Sequence, residues 1–161
     1  MSVQDFGNWL YETPLSTFIR DVTWLIPAVQ SIHILAIAVV IGSALVSDLR
    51  LAGVLAIEET PATVVRRYLP WMWAALVVLL LTGLVLVLAE PDRTIANAVF
   101  WTKMSLVLTA FALTLFFRKP LLSPHFRAEH ARWWAATKPA AWISLAVWVA
   151  VIFCGRWIAY S

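Results

Sequence analysis

Four long apolar segments alternate with short polar stretches along the 161-residue chain. Each segment is close to the roughly 20 residues that an α-helix needs to cross a hydrocarbon core of about 30 Å. Because backbone polar groups must be satisfied within lipid, the segments are predicted to be helices. They cover residues 24–49, 70–89, 98–117 and 139–160. The pattern predicts an all-α fold, a four-transmembrane-helix bundle in a domain of residues 24–161, with Asn97 and Thr137 as helix caps.

Residues 1–23 are polar to amphipathic and form a separate N-terminal segment. Thr13 and Pro14 match a helix N-cap followed by proline at the first helical position. The apolar residues that follow recur at helical spacing: Leu15, Phe18, Ile19 and Val22. They predict a short interfacial helix on the membrane surface, and a tail packed on the bundle fits the same pattern. The first twenty residues lack a basic region followed by an apolar core, so no cleavable signal peptide is expected.

Composition agrees with a membrane protein and narrows its chemistry. The chain is 62% hydrophobic and 13% charged, whereas a soluble domain is nearer 45–50% apolar and about 25% charged. Cys154 is the only cysteine, so neither an internal disulfide nor a cysteine-based metal site is expected. His125 and His130 do not have the i,i+4 spacing of a helical metal pair, and no metal site is predicted. The few, scattered basic residues give no indication of nucleic-acid binding.

The basic residues predict the orientation of the helices in the membrane. The first and third loops hold eight of them: Arg50, Arg66, Arg67, Arg118, Lys119, Arg127, Arg132 and Lys138. The opposite side holds Arg20, Arg93 and Arg156 among acidic residues. The positive-inside rule therefore predicts that these two loops are cytoplasmic and that both termini lie on the outer side of the membrane. Aromatic residues among the third-loop cations are typical of a segment bound to anionic lipid headgroups.

Polar residues near the outer ends of the helices form the first candidate site. Polar groups in hydrocarbon are costly, so they need a reason to be there. His33, Lys103 and Arg156 lie near the outer ends of the first, third and fourth helices, and Glu90 closes the second. Their similar depth predicts a pocket for an anionic or redox ligand. A structural role is the alternative, in which Lys103 and Arg156 extend to lipid headgroups and His33 bonds a neighbouring helix.

Haem b and a quinone are the two candidate cofactors for this predicted pocket. A haem needs two axial ligands that face each other, and His33 with Met104 is the pair at suitable depth. Met104 directly follows Lys103, so their side chains leave the helix about 100° apart. Met at an apolar helix position is also a common packing residue. A quinone head group, bonded by His33 or Lys103, is the other candidate.

A second polar group stands at the inner end of the first helix. Asp48 and Arg50 are predicted to form a structural charge pair that holds the helix terminus, with Arg66 or Arg67 as further partners. A proton-entry role for Asp48 is the alternative. One arc of this helix, expected to face the bundle interior, holds Gln30, His33, Ala44, Ser47 and Asp48.

Small and aromatic residues indicate surfaces for helix packing. Ala38 and Gly42 form a small-xxx-small pair on the far face of the first helix, suited to close contact with another helix. Trp142 and Trp148 are expected in the interior, as packing surface on the fourth helix.

Three stretches of the chain resemble an uncharacterised family of small bacterial four-helix inner-membrane proteins: HILAIAVVIGSALVSDLRLAG, PWMWAALVVLLLTGLVLVLAEP with NAVFWTKMSL, and GRWIAY. The residues on the family's motif positions are His33, Asp48-Leu49-Arg50, Gly83, Lys103 and Gly155-Arg156. The resemblance implies the fold and carries no agreed activity. More distantly, the chain is similar to copper-resistance-D and membrane protoporphyrinogen-oxidase type bundles, some of which bind haem. Such bundles commonly supply a second histidine, whereas the third helix here ends LTLFFRKP.

The leading functional prediction is a non-catalytic membrane subunit that anchors or stabilises a larger inner-membrane assembly, a redox assembly among the options. The residues are almost all membrane segments, without a nucleophile–base constellation, a phosphate-binding loop or a two-metal carboxylate set. Expected partners are membrane lipids and other membrane subunits or a second copy. One alternative is a quinone- or haem-linked electron-transfer protein using His33, Lys103 and Arg156. Another is a small proton or solute transporter using His33 and Asp48.

Overall fold

The computed structural model describes residues 3–95, 97–122 and 131–157, and within these ranges the chain is helical with no strand. The helices are α1 (Val3–Tyr11), α2 (Pro14–Asp21), α3 (Leu25–Ala52), α4 (Pro61–Ala89), α5 (Pro91–Ile95), α6 (Ala98–Arg118) and α7 (Ala131–Trp157), with a 3-10 turn at Lys119–Leu122. Among the helices described, α3, α4, α6 and α7 are long and apolar enough to cross a membrane. The prediction of an all-α, multi-pass membrane protein with a four-helix bundle is confirmed.

Local capping residues begin α6 at its predicted start and end α3 three residues after its predicted end. Asn97 accepts a hydrogen bond from the backbone N–H of Val99 at 2.8 Å, as expected for the residue that caps α6. α3 ends where Gly53 adopts a φ of 81°, a left-handed conformation that glycine tolerates without steric cost. The N–H of Gly53 turns back to the carbonyls of Arg50 and Leu49, which closes the helix.

α4 and α7 begin earlier than the sequence predicted. Thr60 caps α4 by accepting from the N–H of Thr63, and Pro61 takes the first helical turn. Pro70, the expected start, lies inside the helix. In α7, Thr137 was expected to be a cap but is a buried residue within the helix. Both predictions read an internal proline as a start signal, although the helices continue through it. The predicted end at residue 160 lies outside the described residues.

The N-terminal segment forms two helices, of which α2 was predicted and α1 was not. Thr13 caps α2 and Pro14 starts it, as the sequence indicated. The hydroxyl of Ser16 donates to the carbonyl of Leu88 at 2.7 Å, so α2 docks on the end of α4. The guanidinium of Arg20 lies 3.6 Å from the ring centre of Tyr11 and ties α2 to α1. These contacts favour the alternative in which the N-terminal segment packs on the bundle.

α3 is the central helix of the bundle. It packs against α4 on one side and α7 on the other, and α6 packs against α7, so α3 and α6 lie diagonally. An edge-on contact between Trp73 and Phe111, with ring centres 5.1 Å apart, joins α4 to α6. Trp148 is buried in the core as predicted, whereas Trp142 is 54% exposed and lies outside it. The residues that fill the core include Val40, Ala44, Leu69, Met72, Ala75, Ala110 and Trp148.

We expect Ser16→Ala to loosen the N-terminal helices and leave the bundle intact. The substitution removes the hydrogen bond that Ser16 donates to Leu88 and the one that it accepts from Arg20, each worth about 1 kcal/mol. Hydrogen-exchange mass spectrometry in detergent should show faster exchange in α1 and α2 and unchanged exchange in α3. Thr17→Ala is the matched control, because its hydroxyl bonds only within residues 13–20. Wild-type exchange in Ser16→Ala would show that these bonds do not hold the segment.

Candidate functional site

A buried ion pair joins the diagonal helices α3 and α6. Arg118 donates from Nη2 to Asp48 Oδ1 at 2.6 Å, and both side chains are only 2% exposed. Arg118 also donates from Nη1 to the sulfur of Met72 on α4 at 3.2 Å. Ser144 of α7 lies beside the carboxylate of Asp48. Each of the four long helices thus contributes one residue to this ion-pair cluster, defined as Asp48, Met72, Arg118 and Ser144.

Small polar residues lie beside the two charges on their helices. Ser47 precedes Asp48 on α3, and Thr114 lies one turn before Arg118 on α6; both are buried. Their hydroxyls donate to the carbonyls of Ser43 and Ala110 in their own helices, at 2.8 and 2.9 Å. Since both hydroxyls donate within their own helices, they need no hydrogen-bond acceptor on a neighbouring helix.

The ion-pair cluster retains polar atoms without a hydrogen-bond partner among the described residues. They are Asp48 Oδ2, Ser144 Oγ and the nearby Trp148 Nε1, all buried. Ser144 approaches the carboxylate but does not reach hydrogen-bonding geometry. Unsatisfied buried groups cost about 1–3 kcal/mol each, which offsets part of the attraction between the charges. The cluster is therefore better suited to fixing helix positions than to adding net stability.

The structure corrects the predicted Asp48–Arg50 charge pair. Arg50 turns toward the first loop and donates from Nε and Nη2 to the carbonyl of Glu59, at 2.8 and 2.5 Å. Arg67, expected near Asp48, pairs with the Glu59 carboxylate at 2.9 Å. Residues two apart on a helix do not face each other, and the true partner, Arg118, lies 70 positions away. From the sequence, Arg118 is predicted to lie in the third loop, whereas it is the last residue of α6 and its side chain is buried.

His33 lies toward the opposite ends of the helices and bonds α4. Its Nδ1 is 2.7 Å from the hydroxyl oxygen of Thr82. Thr82 donates its own proton to the carbonyl of Val78 at 2.7 Å, so it accepts from the imidazole. Nδ1 therefore carries a proton, and Nε2 makes no hydrogen bond with the described residues.

Lys103 approaches His33 from the diagonal helix α6. It is half-buried and within electrostatic range of the imidazole. A Cβ built on Gly155 of α7 would lie 3.6 Å from Lys103 Nζ. A Cβ built on Gly83 of α4 would lie 3.6 Å from His33 Cε1. The ammonium makes no hydrogen bond or ion pair with the described residues. We refer to these residues as the His33 site: His33, Thr82, Gly83, Lys103 and Gly155.

The remaining predicted members of this pocket are not gathered around His33 by any described contact. Arg156 and Glu90 are exposed and each has interactions of its own. Met104 is half-buried on α6, directly after Lys103. Their participation stays a prediction. His125 and His130 lie outside the described residues.

Sequence reasoning missed several members of both sites. Thr82 was an available signal, because a hydroxyl residue next to Gly83 interrupts an otherwise apolar run at the depth of His33. Met72 and Ser144 gave no comparable signal, since methionine and serine are ordinary packing residues in membrane helices.

An apolar layer separates the two sites. His33 and Asp48 are fifteen residues apart on α3, or about 22 Å at 1.5 Å per residue. Val40, Ala44 and Ala110 are fully buried between them. A proton path from His33 to Asp48 would have to cross this layer. The transporter alternative stays a prediction from the sequence.

The fold and the two sites define a small α-helical membrane protein with a polar junction near each end of its bundle. Residues 11–161 match the family model described as Family of unknown function (DUF6644), and the chain belongs to this family. The predicted membership of an uncharacterised family is confirmed. Neither the search of curated proteins nor the search of solved structures gave a match. The likeness to copper-resistance-D and protoporphyrinogen-oxidase type bundles stays a prediction.

We expect Arg118→Ala to destabilise the bundle by about 3–5 kcal/mol, because it leaves Asp48 as a buried, unpaired charge. The free energy can be measured by the loss of helical circular dichroism during denaturation in detergent. Combining Asp48→Asn with Arg118→Met removes both charges and should recover at least half of the lost stability.

Arg66→Ala is the matched control, since Arg66 is exposed and its loss should change stability by no more than about 0.5 kcal/mol. Equal stability of Arg118→Ala and Arg66→Ala would rule out a structural role for the ion pair.

Proposed function

We propose that the protein is a non-catalytic integral membrane subunit that anchors or stabilises a larger bacterial inner-membrane assembly. The observation that supports this most is the open apolar surface of its helices. In the most apolar part of each span, no more than 28% of the residues are buried in the bundle. The ion-pair cluster holds the four helices together from within, so their outer faces are available to lipid or to other subunits.

The outward face of α3 is the part of this surface best shaped for another helix. Ala38 and Gly42 are exposed one turn apart, and no atom lies within 4 Å of a Cβ built on Gly42. Leu35, Val39 and Leu45 flank them and are exposed too. Small residues let helix backbones approach closely, which is how membrane helices gain packing energy without a hydrophobic driving force. A transmembrane helix of another subunit is the proposed occupant.

The proposed orientation places the first and third loops in the cytoplasm and both termini in the periplasm. Arg118 no longer counts toward it, because it is buried in the bundle. Seven basic residues remain on the inner side against three on the outer side. The excess of basic residues on the inner side, which supports the orientation, therefore remains after Arg118 is left out.

The subunit proposal predicts that Gly42→Leu weakens assembly while sparing the fold. A leucine side chain has open space around it at this position but would hold a partner helix away. Membranes from the native host, solubilised mildly and passed through native gel electrophoresis, should show less of the high-mass assembly. Circular dichroism should match wild type. Ala74→Leu, on the exposed face of α4, is the control. Migration of the wild-type protein at the mass of one chain would contradict the proposal.

The geometry of His33 supports a second candidate, a quinone- or haem-linked electron-transfer protein using His33, Lys103 and Arg156. Histidines that bind a metal commonly donate the other ring N–H to a neighbouring group. His33 has this arrangement, with Nδ1–H on Thr82 and Nε2 available. His33 would thus be one of the residues that hold a haem, which supplies one-electron transfer when bound. A second axial donor, Met104 or a residue of another subunit, is also required.

The haem form of this candidate predicts a reduced-minus-oxidised haem signal in protein purified in mild detergent. His33→Ala should abolish the signal, because it removes the axial nitrogen. Ser31→Ala should preserve it, since Ser31 is exposed on α3 and bonds only within its helix. A colourless wild-type protein would exclude haem bound stably by this chain alone and leave the subunit proposal untouched.

A further inference from the structure

We propose that the His33 site binds the head group of a membrane quinol, with Lys103 donating to a ring oxygen and a ring hydroxyl donating to Nε2 of His33. The inference rests on the quinone form of the electron-transfer candidate and names its ligand. It concerns binding only, so it is independent of haem and of the partner subunit.

The ammonium of Lys103 is the first reason to expect a ligand. A lysine ammonium has three donors and no acceptor, and withdrawing it from water without a partner is costly. Lys103 is half-buried, and no described residue accepts from it. Its Nζ lies against Gly155 of α7, within the bundle. An oxygen acceptor from outside the chain would satisfy it.

The imidazole of His33 narrows the ligand chemistry. Thr82 holds the proton on Nδ1, so in the neutral imidazole Nε2 is an acceptor and needs a donor. The ligand must therefore present a donor to His33 and an acceptor to Lys103. A quinol ring carries both on opposite sides of a flat body. A phosphodiester alone has no proton to donate, so a lipid would need a further headgroup hydroxyl to pair with Nε2, and the test below includes such a lipid.

The two glycines let these polar groups approach the backbones of α4 and α7. A Cβ on Gly83 would stand 3.6 Å from the imidazole, and a Cβ on Gly155 would stand 3.6 Å from the ammonium. A side chain larger than alanine at either position would displace the imidazole or the ammonium from where it now lies. The imidazole and the ammonium thus each pack against a glycine, and their positions depend on the absence of a side chain there.

Depth also favours a ligand that dissolves in hydrocarbon. His33 lies eight residues from the start of α3, or about 12 Å along the helix. Trp24, at the start of α3, and Trp157, at the end of α7, are exposed, as expected for residues at the membrane interface. The imidazole therefore lies below the level of the headgroups, where a quinol ring can reach it.

The test is a binding titration of the purified protein in phosphatidylcholine nanodiscs. Decylubiquinol, kept reduced under anaerobic conditions, is the probe, and quenching of tryptophan fluorescence is measured against empty nanodiscs. Wild type should bind saturably. Lys103→Met and His33→Phe should each raise Kd at least tenfold, since each removes a partner for one side of the ring. Arg66→Gln, which removes a positive charge at the far end of the bundle, should leave Kd unchanged.

Gly155→Leu is a second variant that keeps both polar residues and displaces the Lys103 ammonium; it too should raise Kd at least tenfold. Each variant is compared with wild type by circular dichroism before titration. Equal Kd values for wild type, Lys103→Met and Gly155→Leu would overturn the inference. So would a wild type that binds no decylubiquinol but retains phosphatidylglycerol in a Lys103-dependent way, since the ligand would then be a lipid headgroup. A haem signal without quinol binding would overturn this inference alone.

Discussion

The buried pair of Asp48 and Arg118 is the interaction on which the rest of the bundle depends. Either charge alone would be costly at this depth, so α3 and α6 must meet for both to be tolerated. Through Met72 and Ser144 the same cluster reaches α4 and α7. Because its atoms are not all satisfied, its main effect is to favour one arrangement of the helices over others that would separate the charges.

The same two diagonal helices carry a polar residue pair at each end, and the two pairs differ in their chemistry. Asp48 and Arg118 neutralise each other and are sealed from solvent. His33 and Lys103 form no such pair: one presents an acceptor and the other a cation, and both remain half-buried. A neutral, closed cluster is suited to holding helices in place. An open pair with unused donors and acceptors is suited to binding a molecule from outside the chain.

The sequence was sufficient to predict the four membrane-spanning helices. An apolar segment of about 20 residues in lipid must satisfy its backbone hydrogen bonds internally, which a helix does. It was misleading at Pro70 and Pro139, since helices continue through proline when neighbouring groups compensate. The depth of His33 and Lys103 followed from alternating topology. The sequence did not predict the partner of Asp48. Arg118 is next to other cations at the end of an apolar segment, and only the packing of the helices shows that its side chain turns inward.

The proposed subunit role and the proposed ligand site do not compete for the same surface. Gly42 follows His33 by nine residues on α3, which places the two on opposite faces, about 180° apart, at 100° per residue. A partner helix packed on Ala38 and Gly42 would lie behind α3 and away from the imidazole. The face toward α4 and Lys103 would remain open to a ligand from the membrane. One chain can therefore anchor an assembly and present a binding site to the lipid phase, with α3 as the element common to both.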